Sequence, residues 1–161
     1  MKQLNRIIEE ALVKNNVLAQ ADIEEYAQQA LEADKTLKEY LIEHNIVTEK
    51  QMIICLSQQL NLERIDFQSI KIDQTVIESV PVKFVWYYKV LPIKKEGNML
   101  TVASALPLDV KTQDELRVNL GQNIKTVLAP ENELMEALKK YYGFASDTID
   151  RIITKAGYLT S

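Results

Sequence analysis

The stretch LVKNNVLAQADI, residues 12–23, returns 29 positions later as LIEHNIVTEKQM, residues 41–52. Few letters are identical, but apolar residues occupy matching places in both copies, and an asparagine stands at the same place in each, Asn16 and Asn45. Asparagine is the non-glycine residue best suited to the left-handed conformation that ends a helix. Each copy is therefore predicted to be a helix that ends near its asparagine, a short apolar turn and a second helix.

The repeat extends over residues 7–30 and 36–59. In the second copy Thr48 has the position of an N-cap, and Gln51 that of its capping-box partner. Apolar stripes follow at helical spacing: Ile23, Tyr26, Ala27 and Ala30 in the first copy, and Met52, Cys55, Leu56 and Gln59 in the second. Either unit alone is too small to be stable, so the two are expected to pack face to face. The side chains expected to be buried between them are Leu12, Ile23, Leu41 and Leu56.

After Asn61 the pattern changes to a mixture of strands and helices. Two apolar-rich runs flank Glu96-Gly97-Asn98, and a Gly-Asn pair at a tight connection is typical of a hairpin turn. The predicted strands are 65–67, 90–95, 99–103 and 124–128. The predicted helices are 76–80, one that starts at Pro81 and packs residues 84–88 inward, 110–120 and 130–142.

These elements predict an α+β fold in three parts. Residues 1–62 form a helical subdomain of two repeated helix-turn-helix units, and residues 63–143 form a small α/β subdomain with a β-hairpin and a third strand. Residues 144–161 are predicted to be a tail or linker, with a helical segment at 148–155 and the least order in the chain.

The composition excludes several classes of function. The chain has 161 residues, 47% of them hydrophobic and 26% charged, which is enough for a buried core. No apolar run approaches the roughly 20 residues of a membrane span and no secretory signal opens the chain, so a cytoplasmic location is expected. A net charge of −4 argues against a phosphate-binding surface for nucleic acid. One cysteine and one histidine exclude a disulfide and a Cys/His metal site, and Cys55 is predicted to be a core thiol.

The sequence contains no recognisable catalytic centre. Its four glycines, at 97, 121, 143 and 157, leave no place for a phosphate-binding loop or a dinucleotide fingerprint. His44 has no nucleophile beside it and stands at the end of a predicted helix, where a cation is favoured by the helix dipole. The chain is therefore predicted not to be an enzyme, and no catalytic residue is assigned.

A succession of motifs resembles the N-terminal domain of the traffic ATPases that power type IV pilus assembly and type II secretion, the MshEN type. After the helical repeat come Tyr88-Lys89-Val90-Leu91-Pro92-Ile93, Leu100–Ala105, Asp114-Glu115-Leu116-Arg117 and the ending Lys140-Tyr141-Tyr142-Gly143. The resemblance covers residues 7–143. It implies that residues 144–161 lead toward an ATPase domain absent from this sequence, where ATP and magnesium would bind.

Some members of that family bind cyclic di-GMP through the two repeats, each with an arginine, two glycines and a terminal glutamine. The second copy keeps Leu37, Leu41, Met52, Leu56 and Gln59. The further candidate positions are Ile8 and Leu12 in the first copy, Arg6 and Lys35 one residue before the arginine positions, and Asp109 near an acidic position of the second domain. These ten residues are the candidate ligand positions that the resemblance implies. The arginine positions themselves hold Ile7 and Thr36, and the glycine positions hold Glu9, Lys38, Asn16 and Asn45.

Two functions follow from the resemblance. The first is a non-catalytic regulatory or adaptor domain that docks its motor to an inner-membrane platform or a cytoplasmic adaptor protein, so that membrane contact is made only through protein partners. The alternative is a cyclic di-GMP-binding regulatory domain with a degenerate repeat motif. The paired arginines, glycines and glutamines discriminate between them, and most of that set is missing.

Overall fold

The computed structural model describes residues 2–143, without the side chain of Lys2. The helices in this range are α1 (Lys2–Lys14), α2 (Gln20–Glu32), α3 (Leu37–Glu43), α4 (Glu49–Leu60), α5 (Gln74–Glu78), α6 (Val82–Tyr88), α7 (Val110–Leu120) and α8 (Glu131–Tyr142). The strands are β1 (Val90–Glu96), β2 (Met99–Ser104) and β3 (Asn123–Leu128). The chain divides into two compact units, Met1–Arg64 and Ile65–Ser161. The predicted α+β class is confirmed.

The first unit repeats its backbone at the 29-residue offset read from the sequence. Asn16 and Asn45 both lie in the left-handed region, with φ of 59° and 57°. Their backbone hydrogen bonds also match. The equivalent pairs are Asn16 N to Val13 O (3.0 Å) with Asn45 N to Ile42 O (3.1 Å), and Val17 N to Leu12 O with Ile46 N to Leu41 O (both 2.9 Å). The asparagines therefore close α1 and α3 in the same way.

Packing within this unit is reciprocal between the repeats. Helix α1 packs on α4, and α2 packs on α3. Exchanging the two copies turns one of these contacts into the other, as approximate two-fold symmetry requires. The four side chains expected between the repeats, Leu12, Ile23, Leu41 and Leu56, are each 0% exposed. Cys55 is buried in the same core, and burial raises the pKa of its thiol.

The two repeats differ in the N-cap of their second helix, α2 or α4. Thr36 and Thr48 each accept a hydrogen bond from the backbone N–H three residues on, and Glu39 and Gln51 complete two capping boxes. The predicted Thr48–Gln51 box is therefore confirmed. At the position equivalent to Thr48, the first copy has Ala19, which has the extended N-cap backbone but no side chain to accept the bond.

The second unit is built on a three-stranded sheet in the order β1-β2-β3. Strands β1 and β2 are antiparallel and joined at Gly97, whose φ of 57° suits glycine in a tight turn. Strand β3 runs parallel to β2, which requires the crossover that α7 supplies. Helix α7 ends at Gly121, in the left-handed conformation with φ of 66°.

Helices pack on this sheet around a core that includes Leu91, Leu100 and Leu138, all 0% exposed. Helices α5, α6 and α8 pack on β1, and α7 packs on β3. The hydroxyl of Tyr142 donates to the carbonyl oxygen of Ile77 at 2.7 Å, which holds the end of α8 to α5. Burial raises the pKa of the Tyr142 hydroxyl, so this bond persists well into alkaline solution.

Three sequence predictions for this unit are wrong in detail. The strand predicted at 65–67 is a bridge at Arg64 followed by a 3-10 turn, Phe67–Ser69, because the Asp66 carboxylate accepts from the backbone N–H of Gln68. The helix predicted at 76–80 lies two residues earlier, as α5. The run 84–88 does not pack inward throughout, since Tyr87 is 76% exposed. The segment 144–161, with its predicted helix, lies outside the described residues.

Candidate functional site

The apolar candidate residues form the interior of the first unit. Their side chains are between 0% and 1% exposed: Ile8, Leu12, Leu37, Leu41, Met52 and Leu56. Helix periodicity explains this, because i, i+4 spacing along α1, α3 and α4 puts them on the faces where the four helices meet. They fill a core, and their role toward a ligand stays a prediction.

The two candidate cations have different surroundings. Arg6 is exposed on α1, and its charge lowers the pKa of Glu9. Lys35 forms an ion pair with Glu43 on α3. Arg6 and Lys35 are therefore equivalent in sequence, but Lys35 already forms an ion pair with a carboxylate of the second repeat, that of Glu43.

Glu9 and Lys38 lie three residues after Arg6 and Lys35, respectively. They are equivalent in the repeat and opposite in charge. Lys38 is 6% exposed, and its Nζ lies 3.6 Å from Oε1 of Glu49 at the start of α4. Glu9 is half-buried, and its pKa is raised first by desolvation, then by the charge of Glu24. The burial of Lys38 was not predicted from the sequence, because its partner Glu49 is eleven residues away on another helix.

Gln59, the candidate nearest the end of α4, has an unusual side chain. Its Oε1 atom is buried and has no hydrogen-bond partner within the described residues. An unpaired buried amide oxygen is unfavourable by about 1–3 kcal/mol unless something donates to it. The equivalent position of the first copy is Ala30, so this feature belongs to the second repeat alone.

Asp109 belongs to the second unit and serves as a helix cap. Its Oδ1 accepts from the backbone N–H of Thr112 at 2.7 Å, at the N-terminus of α7. This hydrogen bond holds the pKa of the carboxyl below its usual range. The structure thus gives Asp109 a local structural role and does not test a ligand role.

The second unit exposes large apolar side chains on two neighbouring helices. Tyr87 of α6 and Val110 and Val118 of α7 are 76%, 74% and 75% exposed. The helices are joined by Tyr88, whose hydroxyl donates to Oε2 of Glu115 at 2.8 Å and whose ring meets that of Tyr87 edge-on at 4.7 Å. We call these three exposed residues the α6–α7 patch.

One feature of the sequence could have predicted an exposed apolar residue on α6. Phe84–Tyr88 is a run of five apolar residues, which covers more than a full helical turn, and a short surface helix buries only one side. Some residue of that run had to face solvent. Val110 and Val118 stand eight positions apart, about two turns, on the side of α7 away from Leu116, which is 0% exposed.

The described glycines end helices or turn a hairpin. Gly97 lies in the β1–β2 turn, and Gly121 and Gly143 follow the last residues of α7 and α8. None of the three opens a helix, as the glycines of a phosphate-binding loop do. Within residues 2–143 no three His, Cys, Asp or Glu side chains come together in a metal-binding arrangement. Along the same range, no helix has the length and apolarity needed to cross a bilayer.

Comparison with known proteins identifies the family. The profile of the MshEN domain matches residues 60–148, more than half of the sequence, and the chain belongs to that family. It is 24% identical over 148 residues to the type IV pilus assembly ATPase PilB of Myxococcus xanthus, strain DK1622. That alignment covers 92% of this chain and 26% of PilB, so the chain spans about a quarter of its relative.

Solved structures share the same fold. The structure of MshE with cdg matches with a TM-score of 0.75 and 26% identity, over 84% of this chain and 98% of that one. The N-terminal domain of XpsE matches with a TM-score of 0.68 and 20% identity, over 84% and 94% of the two chains. The resemblance to the N-terminal domain of the traffic ATPases is thereby confirmed.

Proposed function

We propose that this chain is a non-catalytic docking domain of a cytoplasmic type IV pilus assembly or type II secretion ATPase, coupling the motor to a protein partner. In this proposal residues 1–62 and 63–143 are the two subdomains, and residues 144–161 lead toward the ATPase domain. The partner is the inner-membrane platform or a cytoplasmic adaptor. Membership of the MshEN family and the similarity to one quarter of PilB support the setting.

The observation that carries the docking role is the α6–α7 patch. Isolated exposed apolar residues are ordinary, but these three lie on two helices that are linked by the Tyr88–Glu115 hydrogen bond, and we take them as the contact residues of the proposed docking surface. Tyrosine is among the residue types that contribute most to binding energy at interfaces. Because Tyr88 and Glu115 fix α6 against α7, the patch needs little ordering before it binds.

The test is the cellular position of the full-length ATPase fused to a fluorescent protein. The unaltered fusion is expected at the membrane when the platform protein is present and throughout the cytoplasm when it is deleted. Tyr87→Ser combined with Val118→Ser should disperse the fusion without changing its melting temperature. The matched control, Lys111→Ala with Asn119→Ala, changes exposed polar residues of α7 and should leave the position unchanged. Retention of the patch variant at the membrane would contradict the docking role.

A second candidate, a degenerate cyclic di-GMP site, is favoured by the unpaired oxygen of Gln59. A bound base could donate to this atom, and the name of the similar MshE structure includes cdg, which we read as cyclic di-GMP. The charges of the first unit oppose it. Glu9 would repel the ligand's phosphates, and Glu49 and Glu43 already engage Lys38 and Lys35. We therefore place docking first.

A further inference from the structure

The last described helix ends beside the helix that carries Tyr87. Helix α8 packs on α6. The Tyr142 hydroxyl at the end of α8 donates to the carbonyl oxygen of Ile77 on α5, the helix that precedes α6. Gly143 follows with φ of 77° and ψ of −178°, a backbone conformation that is essentially restricted to glycine. The chain therefore turns off the axis of α8 at a point close to α5 and α6.

The sequence that follows has the pattern of an amphipathic helix. Residues 144–161 lie outside the described residues, and a helix is predicted within them at 148–155. Three isoleucines in that range follow the i, i+3, i+4 spacing of one helix face: Ile149, Ile152 and Ile153. Two carboxylates, Asp147 and Asp150, stand beside them in the sequence. So short a helix is stable only if another surface covers its apolar side.

The α6–α7 patch lies within reach of these isoleucines. Residues 144–148 span at most about 18 Å when fully extended. Helix α6 has seven residues and is therefore about 10 Å long, with Tyr87 in its last turn. A chain that leaves α8 beside this helix can thus bring Ile149 to Tyr87. The patch and the segment belong to the same compact unit, Ile65–Ser161.

Two lysines of α6 complement the carboxylates of this segment. Lys83 and Lys89 are exposed, and their Nζ atoms lie 5.1 Å and 5.3 Å from the ring centroids of Phe84 and Trp86. Among the described residues, neither lysine forms an ion pair with a carboxylate. A ring positions an ammonium group without cancelling its charge. Because Lys83 and Tyr87 are four residues apart, they share one side of α6, where a carboxylate next to an apolar side chain is complementary.

We propose that residues 148–155 of this chain fold back as a helix onto the α6–α7 patch, with the three isoleucines against Tyr87 and Val118 and the two aspartates toward the lysines of α6. The inference rests on the proposed docking function, because it gives the docking surface an internal competitor. The segment and the protein partner cannot occupy the patch together. Since residues 144–161 are proposed to lead toward the ATPase domain, movement of that domain would uncover the patch and so regulate docking.

The test measures NMR backbone order parameters of residues 149–153 in the 161-residue chain. Values near 0.85 mark a rigid backbone, and values below about 0.6 a mobile one. We expect about 0.8 or more for the unaltered chain. Tyr87→Ser with Val118→Ser should lower them below about 0.6, while the amide signals of β2 keep their positions and show that the unit is folded. Low order in the unaltered chain, or high order that survives the patch substitutions, would overturn the proposal.

Reciprocal substitutions locate the contact from the other side. Ile149→Ser, Ile152→Ser and Ile153→Ser together, the isoleucine variant, should shift the amide signals of Tyr87 and Val118. These two residues are far from the substitutions in sequence, so only a contact in space can shift their signals. Unchanged signals would contradict the proposal. Signals of the patch that move with protein concentration would identify a second copy of the chain as the occupant, which also overturns it.

The matched control changes polar residues of the same segment. Thr148→Ala with Thr154→Ala should leave the patch signals in place, and shifts as large as those of the isoleucine variant would contradict an apolar contact. Asp147→Asn with Asp150→Asn should produce a smaller shift in the same direction as the isoleucine variant. Added salt should reproduce that smaller shift in the unaltered chain, because it screens exposed charges.

Failure of this inference and failure of the docking function are distinguishable. In the full-length fusion the isoleucine variant should raise the membrane-bound fraction about twofold. If the order parameters behave as expected but the fusion ignores the platform protein, the internal contact stands and docking fails. If the fusion depends on the platform protein and on the patch while residues 149–153 have low order, docking stands and the internal contact fails.

Discussion

Asn16 and Asn45 adopt nearly the same backbone conformation, with φ of 59° and 57°, whereas Glu9 and Lys38, also equivalent in the repeat, carry opposite charges. Backbone and core in the two repeats are thus matched, and the polar positions are not. A core position is constrained by volume and must suit its counterpart across the pseudo-symmetry. A polar position at the margin is constrained by what binds there. This unit therefore has a symmetric scaffold in which equivalent polar positions such as Glu9 and Lys38 differ in charge.

The largest expected change in stability comes from truncating equivalent core residues of the two repeats. Leu12→Ala and Leu41→Ala are equivalent truncations of side chains that are both 0% exposed. Each should lower the free energy of unfolding by about 2–5 kcal/mol, and by similar amounts. Urea denaturation followed by circular dichroism at 222 nm measures the free energy of unfolding. Tryptophan fluorescence does not suit this purpose, because Trp86, the chain's one tryptophan, lies in the second unit and both substitutions lie in the first. A large effect at one position and none at the other would break the equivalence of the cores.

Lys38 and Glu9 provide the next contrast. Lys38→Ala removes a buried ammonium beside Glu49 and should lower the free energy of unfolding by about 1–3 kcal/mol. Lys38→Met keeps the volume and separates the loss of charge from the loss of packing. Glu9→Ala, at the equivalent position, should change it by less than about 0.5 kcal/mol. Equal losses at the two positions would show that their environments do not differ as described.

The N-cap residues of α2 and α4, Ala19 and Thr48, can be tested by opposite substitutions. Thr48→Ala removes a capping box and should lower the free energy of unfolding by about 1 kcal/mol. Ala19→Ser adds a hydroxyl at the equivalent position, whose φ of −75° and ψ of 152° already suit an N-cap, and should raise it by a smaller amount. Thermal denaturation of both variants checks the pair. Destabilisation by Ala19→Ser would mean that α2 begins differently from α4.

The smallest stability effect depends on pH. The pKa of Glu9 is raised above its ordinary value of 4.5, so its stabilising contribution is complete below pH 4.5 and is lost as the pH rises through the raised value. At pH 7 the charged carboxylate therefore opposes folding. Glu9→Gln should raise the free energy of unfolding there by less than about 0.5 kcal/mol, and the gain should vanish near pH 4. Denaturation at both pH values is the check; a gain that grows on acidification has the wrong sign.

Local signals in the sequence were sufficient for most of the backbone. The asparagine pair, the Thr48 capping box and the Gly97-Asn98 turn each depend on residues within about four positions of one another, and all three features are present. The prediction was wrong at 65–67, where β-branched and aromatic residues suggested a strand. There the Asp66 carboxylate offers the backbone a competing local hydrogen bond, which turns the chain.

The candidate site was harder to predict because its properties are tertiary. The burial of Lys38 depends on Glu49 and the helices around it, and no periodicity shows that a lysine at the start of α3 faces inward. The unpaired oxygen of Gln59 likewise depends on what surrounds α4.

We propose that the mismatched polar positions leave no tight site for a symmetric dinucleotide, and calorimetric titration of the 161-residue chain with cyclic di-GMP at moderate salt tests this. Ile7→Arg with Glu9→Gly serves as a gain-of-binding comparison in the first copy, where no threonine cap is disturbed. Loss of two charge-assisted hydrogen bonds weakens a micromolar site to about millimolar. For the unaltered chain we expect no measurable heat, or a dissociation constant above about 100 μM. A dissociation constant at or below about 1 μM would contradict it.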